Sequence, residues 1–78
     1  MKYAYYLRIG SDSIEEATKC LSLRAATVCY AHVARELACY GQSIDATVHK
    51  SDKRSTIEEY PDYILSLGPR GGVRVERT

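Results

Sequence analysis

Residues 68–78, GPRGGVRVERT, set a glycine-rich turn among Arg70, Arg74 and Arg77, a pattern that suits either a phosphate-binding loop or a hairpin connection. A phosphate cradle needs the loop to run straight into a helix N-terminus, whose free amides face the anion. Here the loop runs into alternating Val73, Arg74, Val75, Glu76 and Arg77, which reads as a strand. The glycines are therefore expected to turn a hairpin, with Arg70 at its tip and Arg74 and Arg77 on the solvent face of the last strand.

Other groups able to do chemistry are sparse. His32 falls on the outer side of a helical segment and His49 at the end of a strand, neither in a ligand motif, so both are expected at the surface. Cys20, Cys29 and Cys39 are odd in number and lack a C-x-x-C pair, so they are expected as small buried apolar residues. Glu58, Glu59 and Asp62 cluster in EEYPD beside the basic KSDKR, giving one polar loop a positive and a negative half. Adjacent carboxylates on such a loop are solvated charge or a contact surface for a basic partner. No P-loop, H-E-x-x-H or G-x-S-x-G motif occurs, and neither cofactor, metal nor enzymatic activity is expected.

Seven tyrosines with no Phe or Trp make up the aromatic content. Tyrosine joins a large apolar ring to a hydroxyl that needs a partner, which favours half-buried and interfacial positions. Tyr3, Tyr5 and Tyr30 are expected in the core. Tyr6, Tyr60 and Tyr63 are not so placed. The expected partner-binding set is Tyr6, Arg8, Lys53, Arg54, Glu58, Glu59, Tyr60, Arg70 and Arg74, residue types that recur in binding hot spots.

The elements that must position these residues follow from periodicity. Tyr3, Tyr5, Leu7 and Ile9 alternate with Lys2, Ala4, Tyr6 and Arg8, which predicts a strand with one buried side; the turn-forming GSDS follows. Ser13 and Glu16 have capping-box spacing. At about 100° per residue, however, the face of Ile14, Ala17 and Leu21 lies far from that of Leu23, Ala26, Tyr30, Val33, Leu37 and Tyr40. A break at Ser22, a good N-cap, resolves the conflict and gives a helix from about Leu23 to Tyr40, closed by Gly41. Residues 14–20 then form a second strand, or failing that a short helical turn. Ile44, Ala46 and Val48 mark a third strand, residues 50–60 a polar loop with room for one helical turn at STIEE, and DYILSLG and GVRVER the closing hairpin.

The chain of 78 residues has room for one domain. The expected fold is α+β, with a single amphipathic helix on one face of a small antiparallel sheet and the other face open. The order is strand-strand-helix-strand-strand-strand, or strand-helix-three strands. A net charge of +1 gives no field to draw in DNA or an anionic membrane. MKYAYYLRIG lacks the apolar run of a signal peptide, so a cytoplasmic protein, monomeric or homodimeric, is expected. A protein-binding module ranks first, and a nucleic-acid binder using Arg8, Lys53, Arg54, Arg70, Arg74 and Arg77 with tyrosine stacking ranks second, because acidic residues interleave with the basic ones.

The tyrosine-rich first strand, the acidic IEEA segment, the helix LSLRAATVCYAHVARELACYG and the short strands after it together resemble the small type I anti-CRISPR proteins of phages and mobile elements. The likeness lies in size and element order and includes no motif from which site residues transfer. It implies a non-enzymatic inhibitor that binds a larger bacterial complex, a CRISPR surveillance complex, and blocks target DNA recognition or nuclease recruitment. Some members of that class mimic DNA with acidic surfaces; the net charge of this chain implies steric blocking instead.

Overall fold

In the computed structural model, which describes residues 3–78, the chain forms five strands and one α-helix: β1 (Ala4–Ile9), β2 (Thr18–Cys20), α1 (Leu23–Ala38), β3 (Ala46–Ser51), β4 (Tyr63–Leu67) and β5 (Val73–Arg77). The strands make one antiparallel sheet in the order β2-β1-β3-β4-β5, with α1 packed on one face, as the periodicity predicts. Lys2, expected on the outer face of the first strand, lies outside the described residues. No helix among the described residues is long and apolar enough to cross a membrane.

Helix α1 starts where the phase argument breaks the chain. The Ser22 side chain accepts the Ala25 N–H at 3.0 Å, which fixes the first turn. At the far end Gly41 adopts φ +74, its N–H reaches Ala38 O at 3.0 Å, and the Gln42 N–H reaches Leu37 O at 3.0 Å. These paired bonds satisfy the last carbonyls in the Schellman manner, which requires the left-handed residue that glycine supplies. Tyr40, expected on the buried stripe, is 77% exposed, because the chain has already left the helical path there.

The helix approaches the sheet through Ala26, Tyr30 and Ala34, all buried. Small residues on either side of one large ring let the two layers close around Tyr30. Its hydroxyl donates to Ile44 O at 2.6 Å, so the ring is buried without leaving a polar group unpaired. Leu7, Cys20, Ala46, Val48 and Leu65 complete this core from the sheet.

Residues 14–20 combine both alternatives. Ile14–Glu16 form one 3-10 turn, and β2 that follows pairs with β1 through Tyr5↔Cys20 and Leu7↔Thr18. The capping box is absent as such: Ser13 makes only a backbone bond, accepting the Glu16 N–H at 3.0 Å. Tyr3, expected in the core, is half exposed, because the helix does not extend over that end of β1.

The second sheet face, expected to be open, is partly covered. Ala4, Tyr6 and Ala17 form a separate buried cluster there, with Ile57 packed against it. Strand β1 therefore has apolar residues buried on both faces, which a rule of alternating inside and outside does not anticipate.

Replacing Tyr30 with Phe isolates the hydroxyl. It should cost about 1–2 kcal/mol, read as a lower denaturation midpoint with an unchanged slope. Burial, followed by the Asp45 carboxylate, raises the Tyr30 phenol above its ordinary value. A raised folded pKa stabilises fully below the unfolded value near 10 and loses its contribution as pH climbs through the folded one. The wild-type chain should thus lose stability above about pH 10, and Tyr30→Phe should flatten that limb of the pH profile.

Candidate functional site

The expected contact residues lie at two ends of the sheet. Lys53, Arg54, Glu58, Glu59 and Tyr60 belong to the connection between β3 and β4. Arg70 belongs to the β4–β5 turn at the opposite end and Arg74 to the strand leaving it, whereas Arg8, on β1 opposite Thr47, lies three strands from β5.

At the turn end, Gly68 N–H donates to Gly72 O at 2.7 Å and Gly71 N–H to Gly68 O at 3.0 Å. This is the hairpin expected, although Gly71 alone among its glycines takes positive φ, at +83. Arg70 is exposed at the tip. Arg74 pairs with Ser66 and Arg77 with Tyr63, so alternation puts the two arginines on opposite faces rather than on one. Arg8 donates from Nε to Asp12 O, which ties its guanidinium to the turn after β1.

The β3–β4 connection is more built than a polar, aperiodic sequence suggests. Its single 3-10 turn is Arg54–Thr56, just upstream of the expected centre. Arg54 Nη1 lies 3.0, 3.2 and 2.8 Å from the carbonyl oxygens of Ile14, Glu15 and Ala17, and its guanidinium carbon sits 5.2 Å from the centre of the Tyr6 ring. The short turn, whose Ile14 carbonyl already accepts the Ala17 N–H, thus receives a cation at its carbonyl end, while the ring beneath adds a cation–π contact. One expected contact residue is corrected by this geometry: Tyr6 is only 2% exposed. Arg54 is exposed, with Nη1 bonded to carbonyls of its own chain.

His49 is also corrected, from surface to buried. It sits opposite Tyr6 on the covered face, with Nδ1 2.9 Å from Glu58 O and Nε2 3.0 Å from Thr47 Oγ1. A carbonyl can only accept, so Nδ1 carries the proton in this bond. Both ring nitrogens are engaged, and the ring acts as a strut that holds the loop backbone against β3.

Two further ties close the loop. Ser51 and Thr56 hydroxyls lie 2.6 Å apart, and Thr56 donates to Asp52 Oδ1 at 2.8 Å. That hydroxyl bond, more than the nearby Lys53 charge, lowers the Asp52 carboxyl from its ordinary value. Asp62 Oδ2 accepts the Lys50 N–H at 2.7 Å while the Asp62 N–H reaches Val48 O at 2.9 Å, which pins the exit.

What the tethered loop displays is Lys53, Glu58, Glu59 and Tyr60, all exposed, with Tyr60 at 87%. Tyr60, Glu58, Lys50 and Asp62 line a polar cleft, and Lys50 Nζ lies 5.1 Å from the Tyr3 ring centre and 5.9 Å from that of Tyr5. Tyr3 in turn lines a second shallow cleft with Leu21, itself 84% exposed. Tyr3, Leu21 and Lys50 were not among the expected contact residues. Their signal in the sequence was the start of the helix at Leu23, which leaves the first residues of β1 beyond its reach.

Among the cysteines, Cys20 is buried, Cys29 half-buried and Cys39 exposed, so a buried apolar role fits Cys20 best. Burial, then the neighbouring Cys29, raises the Cys20 thiol, which keeps it protonated and a poor nucleophile at neutral pH. Among the described residues no group of three or more His, Cys, Asp or Glu side chains is arranged to hold a metal ion. Comparison with protein-family models, with curated proteins and with solved structures gives no match to this chain.

Arg54→Met keeps an unbranched apolar stem over Tyr6 but removes the charged donor. Global stability should fall by about 1–3 kcal/mol, and amide exchange should accelerate across residues 52–60 more than in α1. Lowering the pH should loosen the same loop. A depressed Asp52 pKa contributes fully above the unfolded value near 3.9 and is lost as pH drops through the folded value. Thr56→Val should move the Asp52 carboxyl titration, followed by NMR, back toward that ordinary value.

Proposed function

We propose that the chain is a non-enzymatic protein-binding module that docks through the loop end of the sheet, with Tyr60 as its anchor and Glu58 and Glu59 as an acidic flank for a basic partner surface. The observation that carries this reading is a tyrosine 87% exposed on backbone already fixed by Arg54, His49 and Asp62. Fixing the backbone beforehand lowers the ordering cost of association, and an aromatic ring supplies large contact area with few rotatable bonds. Engagement of both His49 nitrogens and the raised Cys20 thiol support a role in binding over one in catalysis.

The likeness to type I anti-CRISPR proteins extends the reading to a partner. In that extension the domain is an inhibitor that occupies a CRISPR surveillance complex and sterically blocks target DNA recognition or nuclease recruitment. Phosphate binding is the weaker reading, because Arg54 Nη1 is engaged by the Ile14, Glu15 and Ala17 carbonyls and Arg8 is tied to the Asp12 carbonyl.

Adding the purified chain to a type I surveillance complex should suppress its binding of target DNA, and Tyr60→Ala should weaken that suppression at least about tenfold. Tyr40→Ala, an exposed tyrosine outside the loop end, should leave it unchanged. Nuclease-treated lysate that yields no protein partner, when untreated lysate yields RNA or DNA, would overturn the protein-binding reading itself. Suppression that survives Tyr60→Ala would overturn the placement of the surface.

A further inference from the structure

We infer that β5 is a self-pairing edge through which two copies of this chain join their sheets about a two-fold axis at Val75. The inference is independent of the loop-end reading, since β5 lies on the far side of β4 from β3.

Backbone geometry establishes which groups the edge offers. The Gly68 N–H bonds to Gly72 O and the Thr78 N–H to Asp62 O, and the pairs Ser66↔Arg74 and Ile64↔Glu76 fall in the same phase of the ladder. In an antiparallel pair, hydrogen-bonded and non-bonded positions alternate. Residues 72, 74, 76 and 78 therefore direct their backbone groups at β4. Val73, Val75 and Arg77 direct theirs outward, away from every other strand of the sheet.

Such an edge accepts another strand only in registers that oppose outward residues to outward residues. Among two-fold registers near its centre, one sets Arg74 against Arg74 of the second copy and another sets Glu76 against Glu76. Both place like charges directly opposite, which is unfavourable. The register centred on Val75 instead sets Arg74 against Glu76 twice, once on either side of the axis. These fall at non-hydrogen-bonded positions, where side chains approach most closely.

The opposite face fits the same register. Val75, 44% exposed, meets its own copy there, and Arg77 lies across from Val73, whose side chain its aliphatic stem can cover. Among the described residues the other sheet edge, β2, has three residues and carries Lys19, a short and charged edge of the kind that resists pairing. Association through β5 therefore closes at two copies, giving one continuous ten-stranded sheet with both helices on the same face.

The test is charge exchange across the axis, read by sedimentation equilibrium with far-UV circular dichroism to confirm folding. The wild-type chain should sediment at twice its monomer mass. Glu76→Arg alone and Arg74→Glu alone should each weaken self-association by about thirtyfold. An equimolar mixture of the two variants should recover the dimer, because every cross-axis pair is then of opposite sign. The double variant R74E/E76R should also dimerise. A monomeric wild-type chain would overturn the inference, as would single variants that dimerise like wild type or a mixture that stays monomeric. Folded monomeric single variants that re-associate only when mixed cannot arise from a purely intramolecular role for these side chains.

Discussion

The fold depends on how one ring enters the sheet. Tyr30, Leu7, Leu65 and Val48 are the largest fully buried side chains, and Tyr30 alone among them comes from the helix. Ala26, Ala31 and Ala34 bring the helix close but bury little area of their own. Two layers that meet around a single tyrosine must satisfy its hydroxyl, and Ile44 O does so from the segment leading into β3. That bond ties the helix, the loop after it and the central sheet into one constraint.

Because the main core is small, the domain adds a second one on the reverse face. Tyr6, Ala4 and Ala17 are covered by Ile57, and Arg54 lies over the Tyr6 ring. The polar connection is in this sense part of the structure: its backbone is fastened by side chains that would otherwise be solvated charge. The same fastening holds Tyr60 outward. Stability and display thus arise from one set of contacts.

Periodicity made much of the architecture legible. The break at Ser22, the glycine after the helix, the alternation of Ile44, Ala46 and Val48 and the closing hairpin all reflect local rules that act over a few residues. What escaped depends on contacts between distant segments. Tyr6 and His49 fall on positions that alternation assigns to solvent, and only the return of residues 52–62 across the sheet buries them. Arg54 looks like any surface cation until the carbonyls of Ile14, Glu15 and Ala17 are brought beneath it, some 40 positions away in sequence. Glu58, Glu59 and Tyr60 were readable as exposed because nothing in their local pattern calls for burial.

Strand β1 lies between β2 and β3, yet its longer partner is synthesised only after the entire helix. On the ribosome, the tyrosine-rich strand β1 emerges before either neighbour and has only the three residues of β2 to pair with until Ser51 has followed. The hairpin of β4 and β5 is local and closes quickly, whereas joining β1 to β3 carries the loop-closure entropy of the intervening chain. Assembly of the sheet is therefore limited by its centre, and the nascent chain carries an unsatisfied β1 flank until β3 has followed.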